Sequence, residues 1–166
     1  KMGCVSVTGS AFDVQFFNIQ NKKIQANKVY TVFEDSQKNT WLLTDNGLYN
    51  VSEDGKTIQP HFYEKEYNQT KPMQSFYSSM ELKDEIWFGS DNGRIWIYNK
   101  KDGQFDLFET HSSSGIKLLE NIDDTQLLIA TENDGFFIYN SNTKDLKTFT
   151  TANLPGMPVN EIVSCY

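Results

Sequence analysis

Cysteine is nearly absent. The 166 residues hold two, Cys4 and Cys165, near opposite ends. Two cysteines make no disulfide framework; a bridge between the first and last strands is one reading, and two free thiols is the favoured one. Histidine is as scarce: His61 and His111 stand far apart, with no cysteine or second histidine nearby. Structural metal sites gather four such ligands, so no metal is expected. No apolar run reaches the roughly 18 residues of a membrane span, and this segment is expected to make no membrane contact. The N-terminal Lys1-Met-Gly-Cys-Val-Ser-Val7 lacks the long apolar core of a signal peptide, so the chain reads as a mature, trimmed or excised piece. Positive charge is in deficit, with 15 Lys and Arg against 22 Asp and Glu and a net charge of −7. An acidic surface repels phosphate backbones, which argues against nucleic acid as a partner.

Catalytic signatures are missing as well. There is no Gly-x-Ser-x-Gly elbow, phosphate loop or dinucleotide fingerprint. Asp123-Asp124 and Asp102-Gly103 lack the acidic spacing of a calcium loop. Most carboxylates read as turn formers: Asp35, Asp45, Asp54, Asp84, Asp91, Asp102, Asp123, Asp124 and Asp134. No cofactor is implied. Asn50-Val-Ser52 and Asn68-Gln-Thr70 match the glycosylation triplet, which is common by chance and carries little weight.

Aromatics, by contrast, make up 14% of the chain. They concentrate in short β-rich runs, best seen in residues 85–109, EIWFGSDNGRIWIYNKKDGQFDLFE. Asn92-Gly93 and Asp102-Gly103 are hairpin turn signals. The first two runs are apolar at consecutive positions, so these strands should be covered on both faces. The third, residues 105–109, is mixed and suits an outer edge. The unit recurs. Trp41-Leu-Leu-Thr-Asp-Asn-Gly47 matches Trp87-Phe-Gly-Ser-Asp-Asn-Gly93, and Ile129-Ala-Thr-Glu-Asn-Asp-Gly135 matches both with an aliphatic residue in the tryptophan place. Each copy is preceded by one run (29–33, 76–80, 116–122) and followed by two more. Four short strands in about 40–45 residues is the signature of a β-propeller blade.

The expected fold is therefore all-β: four-stranded antiparallel propeller blades in an incomplete propeller of about three to four blades. Residues 1–28 would end a preceding blade. Blades would occupy 29–72, 73–115 and 116–153, and 154–166 would begin a further one, all within one propeller domain. Trp41, Trp87 and Ile129, with Gly47, Gly93 and Gly135, would form the repeated structural core. The chain would be a fragment of a longer ring whose bare terminal faces favour self-association.

The approach to Val29-x-x-Val32, the acidic Glu34-Asp35, then Trp41, Thr44, Asn46, Gly47 and Leu48, and in the second copy Trp87, Gly89, Ser90, Asn92, Gly93, Tyr98 and Asn99, resemble the regulator-propeller repeat. The third copy is weaker, with Ile129, Thr131, Gly135, Tyr139 and Asn140; Leu43 replaces a small residue and Ile129 a tryptophan. Such repeats build the extracytoplasmic sensor region of hybrid two-component histidine kinases of gut Bacteroidetes. The resemblance implies a non-catalytic, periplasmic, ligand-sensing segment of a receptor that responds to a glycan or its breakdown product. Its partners would be the remaining blades and domains of that receptor. The alternatives are a propeller-type glycan-processing enzyme and a protein-binding scaffold. The enzyme needs paired carboxylates, and the inner runs offer few: Glu120 within them, and Glu34, Asp35 and Glu81 at their ends.

Ligands usually meet a propeller at its rim loops, which the sheets hold rigid. The expected rim comprises Asp45, Asn46, Asp91, Asn92, Arg94, Asn133 and Asp134, with Tyr67, Asn68, Gln74 and His111 from the linkers. Arg94 is the cation there and could meet an acidic or hydroxyl-rich oligosaccharide. Trp41, Trp87 and Trp96 could stack on sugar rings, but inter-blade core is the favoured place for Trp41 and Trp87.

Overall fold

The computed structural model describes residues 4–8, 11–15, 26, 28–62 and 74–161. They form strands, turns and coil, with no helix among them. Strands β1 (Cys4–Thr8) and β2 (Ala11–Gln15) pair as an antiparallel hairpin. The first four-stranded sheet holds β3 (Val29–Glu34), β4 (Thr40–Thr44), β5 (Leu48–Val51) and β6 (Ile58–His61). The second holds β7 (Phe76–Leu82), β8 (Glu85–Ser90), β9 (Arg94–Asn99) and β10 (Phe105–Glu109). The third holds β11 (Ile116–Asn121), β12 (Gln126–Thr131), β13 (Phe136–Asn140) and β14 (Leu146–Phe149). Each sheet is an antiparallel meander in chain order, as a propeller blade is. Strands β3, β7 and β11 adjoin one another and converge, leaving β6, β10 and β14 as outer edges. Residues 151–161 form turns and coil. Tyr67, Asn68 and Cys165 lie outside the described residues, as does most of the connection between the first two blades.

The period-two alternation of strands divides each blade between its two neighbours. In the second blade, Ile86, Phe88, Trp96, Tyr98 and Phe105 turn toward the first blade and meet Trp41, Leu43 and Leu48. Trp87, Ile95, Ile97 and Phe108 turn the other way and meet Ile116, Leu119, Leu127, Ile129, Phe137 and Tyr139 of the third. This is why the runs in β8 and β9 are apolar at successive positions. Trp41 is 1% exposed and its indole N–H donates to Asp35 Oδ2 at 2.9 Å. Trp87 is 5% exposed and donates to Glu85 Oε2 at 2.9 Å.

The register corrects one expectation. Trp41 pairs with Phe33, Trp87 with Met80, and Leu128 with Glu120, each at the same distance from a bulge on the first strand. Leu128, not Ile129, thus takes the tryptophan place in the third blade. Ile129 aligns with Leu42 and Phe88. Counting back from glycine misplaces the copy because three residues separate Thr131 from Gly135, where two separate Thr44 from Gly47. A one-residue slip turns a strand side chain to the opposite face. Ile129 accordingly points back into the core shared with Trp87.

Gly135 has φ +75°, and a Cβ there would run into the Phe149 carbonyl oxygen. Gly156 has φ +90° but nothing within 4 Å of its Cβ place. Gly156→Ala should therefore cost only the left-handed backbone, about 1–2 kcal/mol. Gly135→Ala adds a clash with rigid main chain and should cost more, as urea unfolding of both variants will read. Equal losses would mean that the turn gives way freely.

His61 packs against Trp41 and Phe105, with ring centroids 5.8 and 5.1 Å away. Burial pushes its pKa down from 6.5 to about 4. The unfolded chain then binds the proton more readily than the folded one. Stability should be full above about pH 6.5 and fall as pH drops toward 4. His61→Phe should flatten the melting temperature across that window. The loss at lower pH, where carboxylates such as Asp134 titrate, should remain. A wild-type midpoint already flat between those values would contradict this.

Candidate functional site

The turn from second to third strand and the linker leaving the fourth strand share one rim in every blade. The glycine amides tie them together. Gly47 N–H donates to the Gln74 carbonyl at 2.9 Å, Gly93 to Ser114 at 2.7 Å and Gly135 to Asn160 at 2.9 Å. Identical strings still make different turns. In Asp91-Asn92-Gly93-Arg94 both central residues take positive φ, +54° and +65°, and Arg94 N–H closes onto the Asp91 carbonyl at 3.3 Å. In Asp45-Asn46-Gly47 the positive φ falls on Gly47 alone.

Most rim carboxylates brace these turns. Asp45 Oδ1 accepts from Lys28 N–H at 3.1 Å. Asn46 is buried, with its N–H donating to Thr44 Oγ1 and its carbonyl accepting from the Tyr49 hydroxyl. Asp91 accepts from Gln74 Nε2 at 2.5 Å and from Ser75 N–H at 3.3 Å, and burial pushes its pKa up. Gln74 is buried and also donates to Ser90 Oγ. Arg94 lies with its Nε 3.5 Å from Glu109 Oε1, an exposed pair of small energetic weight. Asn92 and Asn133 are exposed at their turns.

Besides the hydrogen-bonded Gln74 and Asp91, the structure brings a second pair of expected residues together. His111, exposed with φ +64°, and Asp134 line one open cleft of about 430 Å³ between the second and third blades. Thr110, Ser112, Phe137, Thr148, Thr150 and Asn160 complete it. Asp134 accepts from Ser112 Oγ at 2.6 Å and from Ser113 N–H at 3.2 Å. The Ser112 hydroxyl leads the group of hydrogen bonds that hold its pKa below the usual carboxylate value. The cleft thus offers one carboxylate, several hydroxyls, an amide and an imidazole over an aromatic floor. That set suits hydrogen bonding to a hydroxyl-rich ligand. Among the described residues Asp134 is the one acidic side chain lining it, whereas glycoside hydrolysis needs two carboxyl groups. Thr148, Thr150 and Asn160 come from an outer strand and a linker, and no motif announces them. Among the described residues no three His, Cys, Asp or Glu side chains gather to hold a metal.

No protein-family model matches the chain, and no curated protein matches it. Solved structures do. The extracellular domain of BT4673 from B. thetaiotaomicron superposes with TM-scores of 0.74 and 0.73 in two structures. Both give 19% identity and cover 91% of this chain and 20% of theirs; one describes a one-component system, the other a hybrid two-component system. The extracellular domain of the hybrid two-component system BT3049 from the same organism gives 0.63, at 20% identity over 89% of this chain and 22% of its own. This chain has their propeller fold. At such identities the likeness is one of fold. The chain spans about a fifth of the length of these solved chains. No helix among its described residues is long and apolar enough to cross a membrane.

Proposed function

We propose that this chain is a non-catalytic, ligand-sensing segment of the extracytoplasmic, periplasmic part of a two-component signalling receptor. The full-length protein would be a histidine kinase, and the signal a glycan or its breakdown product. The observation that carries this is the superposition of nine-tenths of the chain on extracellular domains described as parts of hybrid two-component systems. The register of three repeats and the hydroxyl-rich cleft support it. Sensing needs no chemistry. A ligand that binds one arrangement of blades better than another shifts the receptor toward it. The partners would be the remaining blades and domains of the receptor, or a second copy of the chain.

The test is a panel of neutral and acidic oligosaccharides added to the full chain, read by melting temperature and by chromatography of the sugar. A binding sugar should raise the melting temperature and come back intact. At a hundred times its Kd it should add about 2.7 kcal/mol of stability. Asp134→Asn and His111→Ala should reduce that gain if the cleft holds the ligand. Arg94→Ala tests the rim cation in the same assay. Cleavage of the sugar, abolished by Asp134→Asn, would overturn the sensor reading in favour of a glycan-processing enzyme.

A further inference from the structure

We propose that Tyr30, Tyr77 and Lys117 form a binding site for a small ring-bearing carboxylate, with the ring lying on Tyr30 and the carboxylate meeting the Lys117 ammonium. The site lies on the convergent strands, apart from the His111–Asp134 cleft. The proposal deepens the ligand-sensing reading and rests on it.

The three residues are structurally equivalent. The pairing of each blade's first strand skips one position: between Val29 and Thr31, between Phe76 and Ser78, and between Ile116 and Leu118. Tyr30, Tyr77 and Lys117 are the residues skipped. A bulge re-aims the extra side chain out of the sheet's alternation, often beside a functional site. Because β3, β7 and β11 adjoin, three bulges in register set three large side chains in one row. The Tyr30 and Tyr77 ring centroids are 5.0 Å apart at 60°, and Lys117 Nζ lies 3.5 Å from the Tyr77 centroid.

Three features separate this row from core packing. The flanking Phe76 and Ile116 are fully buried, but Tyr30 is 45% exposed and the Lys117 side chain 25% exposed. Tyr77 is seated on bare main chain: a Cβ on Gly115 would come within 2.8 Å of its Cε2, so the ring is held against that glycine. The Lys117 ammonium is also loosely paired. Among the described residues its ion-pair partner is Glu132, at 3.4 Å, longer than the 2.7–2.9 Å typical of a charge-assisted hydrogen bond. Glu132 is half exposed and can turn to water. The ammonium therefore keeps donors for an incoming carboxylate, and Tyr30, on the other side of Tyr77 in the row, offers the exposed face that accepts a ring.

An acidic sugar and an aromatic acid share this chemistry. Calorimetric titration of the full chain with glucuronate, benzoate and glucose separates them. We expect one carboxylate to bind and glucose to bind far more weakly. Lys117→Met should weaken the carboxylate about tenfold, the weight of one charged hydrogen bond. Tyr30→Ala should weaken it about three- to tenfold. Glu132→Gln should strengthen it, because the competing carboxylate is gone; a purely structural role for Lys117 would not produce that gain. Glucose binding as tightly as glucuronate, neither carboxylate binding, or unchanged affinity in both Lys117→Met and Tyr30→Ala would overturn the proposal. Carboxylate binding lost in Asp134→Asn and His111→Ala but kept in the row variants would also overturn it, while leaving the sensor reading intact.

Discussion

Trp87→Ala should lower the unfolding free energy by about 3–5 kcal/mol, the range for emptying a large aromatic site in a packed core. Trp87 is the plug between the second and third blades. Its ring lies 5.8 Å from Phe108 and 5.9 Å from Tyr139, and it shares a buried cluster with Ile95, Ile116 and Leu127. The residues around it belong to two sheets joined by hydrogen bonds within themselves, so neither sheet can collapse into the space without breaking its own ladder. The indole's bond to Glu85 adds little, since that carboxylate reaches water. Urea unfolding of wild type and variant measures the loss. A value under about 1 kcal/mol, the scale of an ordinary surface change, would mean that the two blades do not share this core. The same variant should weaken any ligand held at the rim cleft, because Phe137 both lines the cleft and packs in the Trp87 cluster.

Ile129→Ala should cost about 2–5 kcal/mol and Leu128→Ala far less. Ile129 is fully buried in the core between the second and third blades. Leu128 is its neighbour in sequence but points to the opposite face and is only partly covered. The pair therefore reads the register of the third blade directly. If Leu128 were the costlier loss, the strand would be turned over and the repeat alignment by glycine would be the correct one.

The blade architecture was legible because it is written in periods. Runs such as Ile86-Trp87-Phe88 and Ile95-Trp96-Ile97-Tyr98 require cover on both faces, and their recurrence with a glycine turn requires stacked sheets. The mixed run at residues 105–109 suits an edge, and β10 is an edge of its sheet. Ile129 departs from the place its motif implies for an equally physical reason. Turn length is free to vary by one residue, but strand pairing is not, so the pairing with β11 decides which side chain faces the core. Of the cleft, His111 and Asp134 could be read as rim residues from their loops. Thr148, Thr150 and Asn160 could not, because they reach the cleft from an outer strand and a linker distant in sequence.

By itself the sequence determined the strand count per blade, the apolar faces and the family it resembles, since each follows from local composition repeated along the chain. Tertiary structure alone decided which loops meet across neighbouring blades. It also decided that Tyr30, Tyr77 and Lys117 stand in one row. Their alignment depends on three bulges on converging strands, and a bulge is a mismatch between two paired strands that neither strand's own residues can specify.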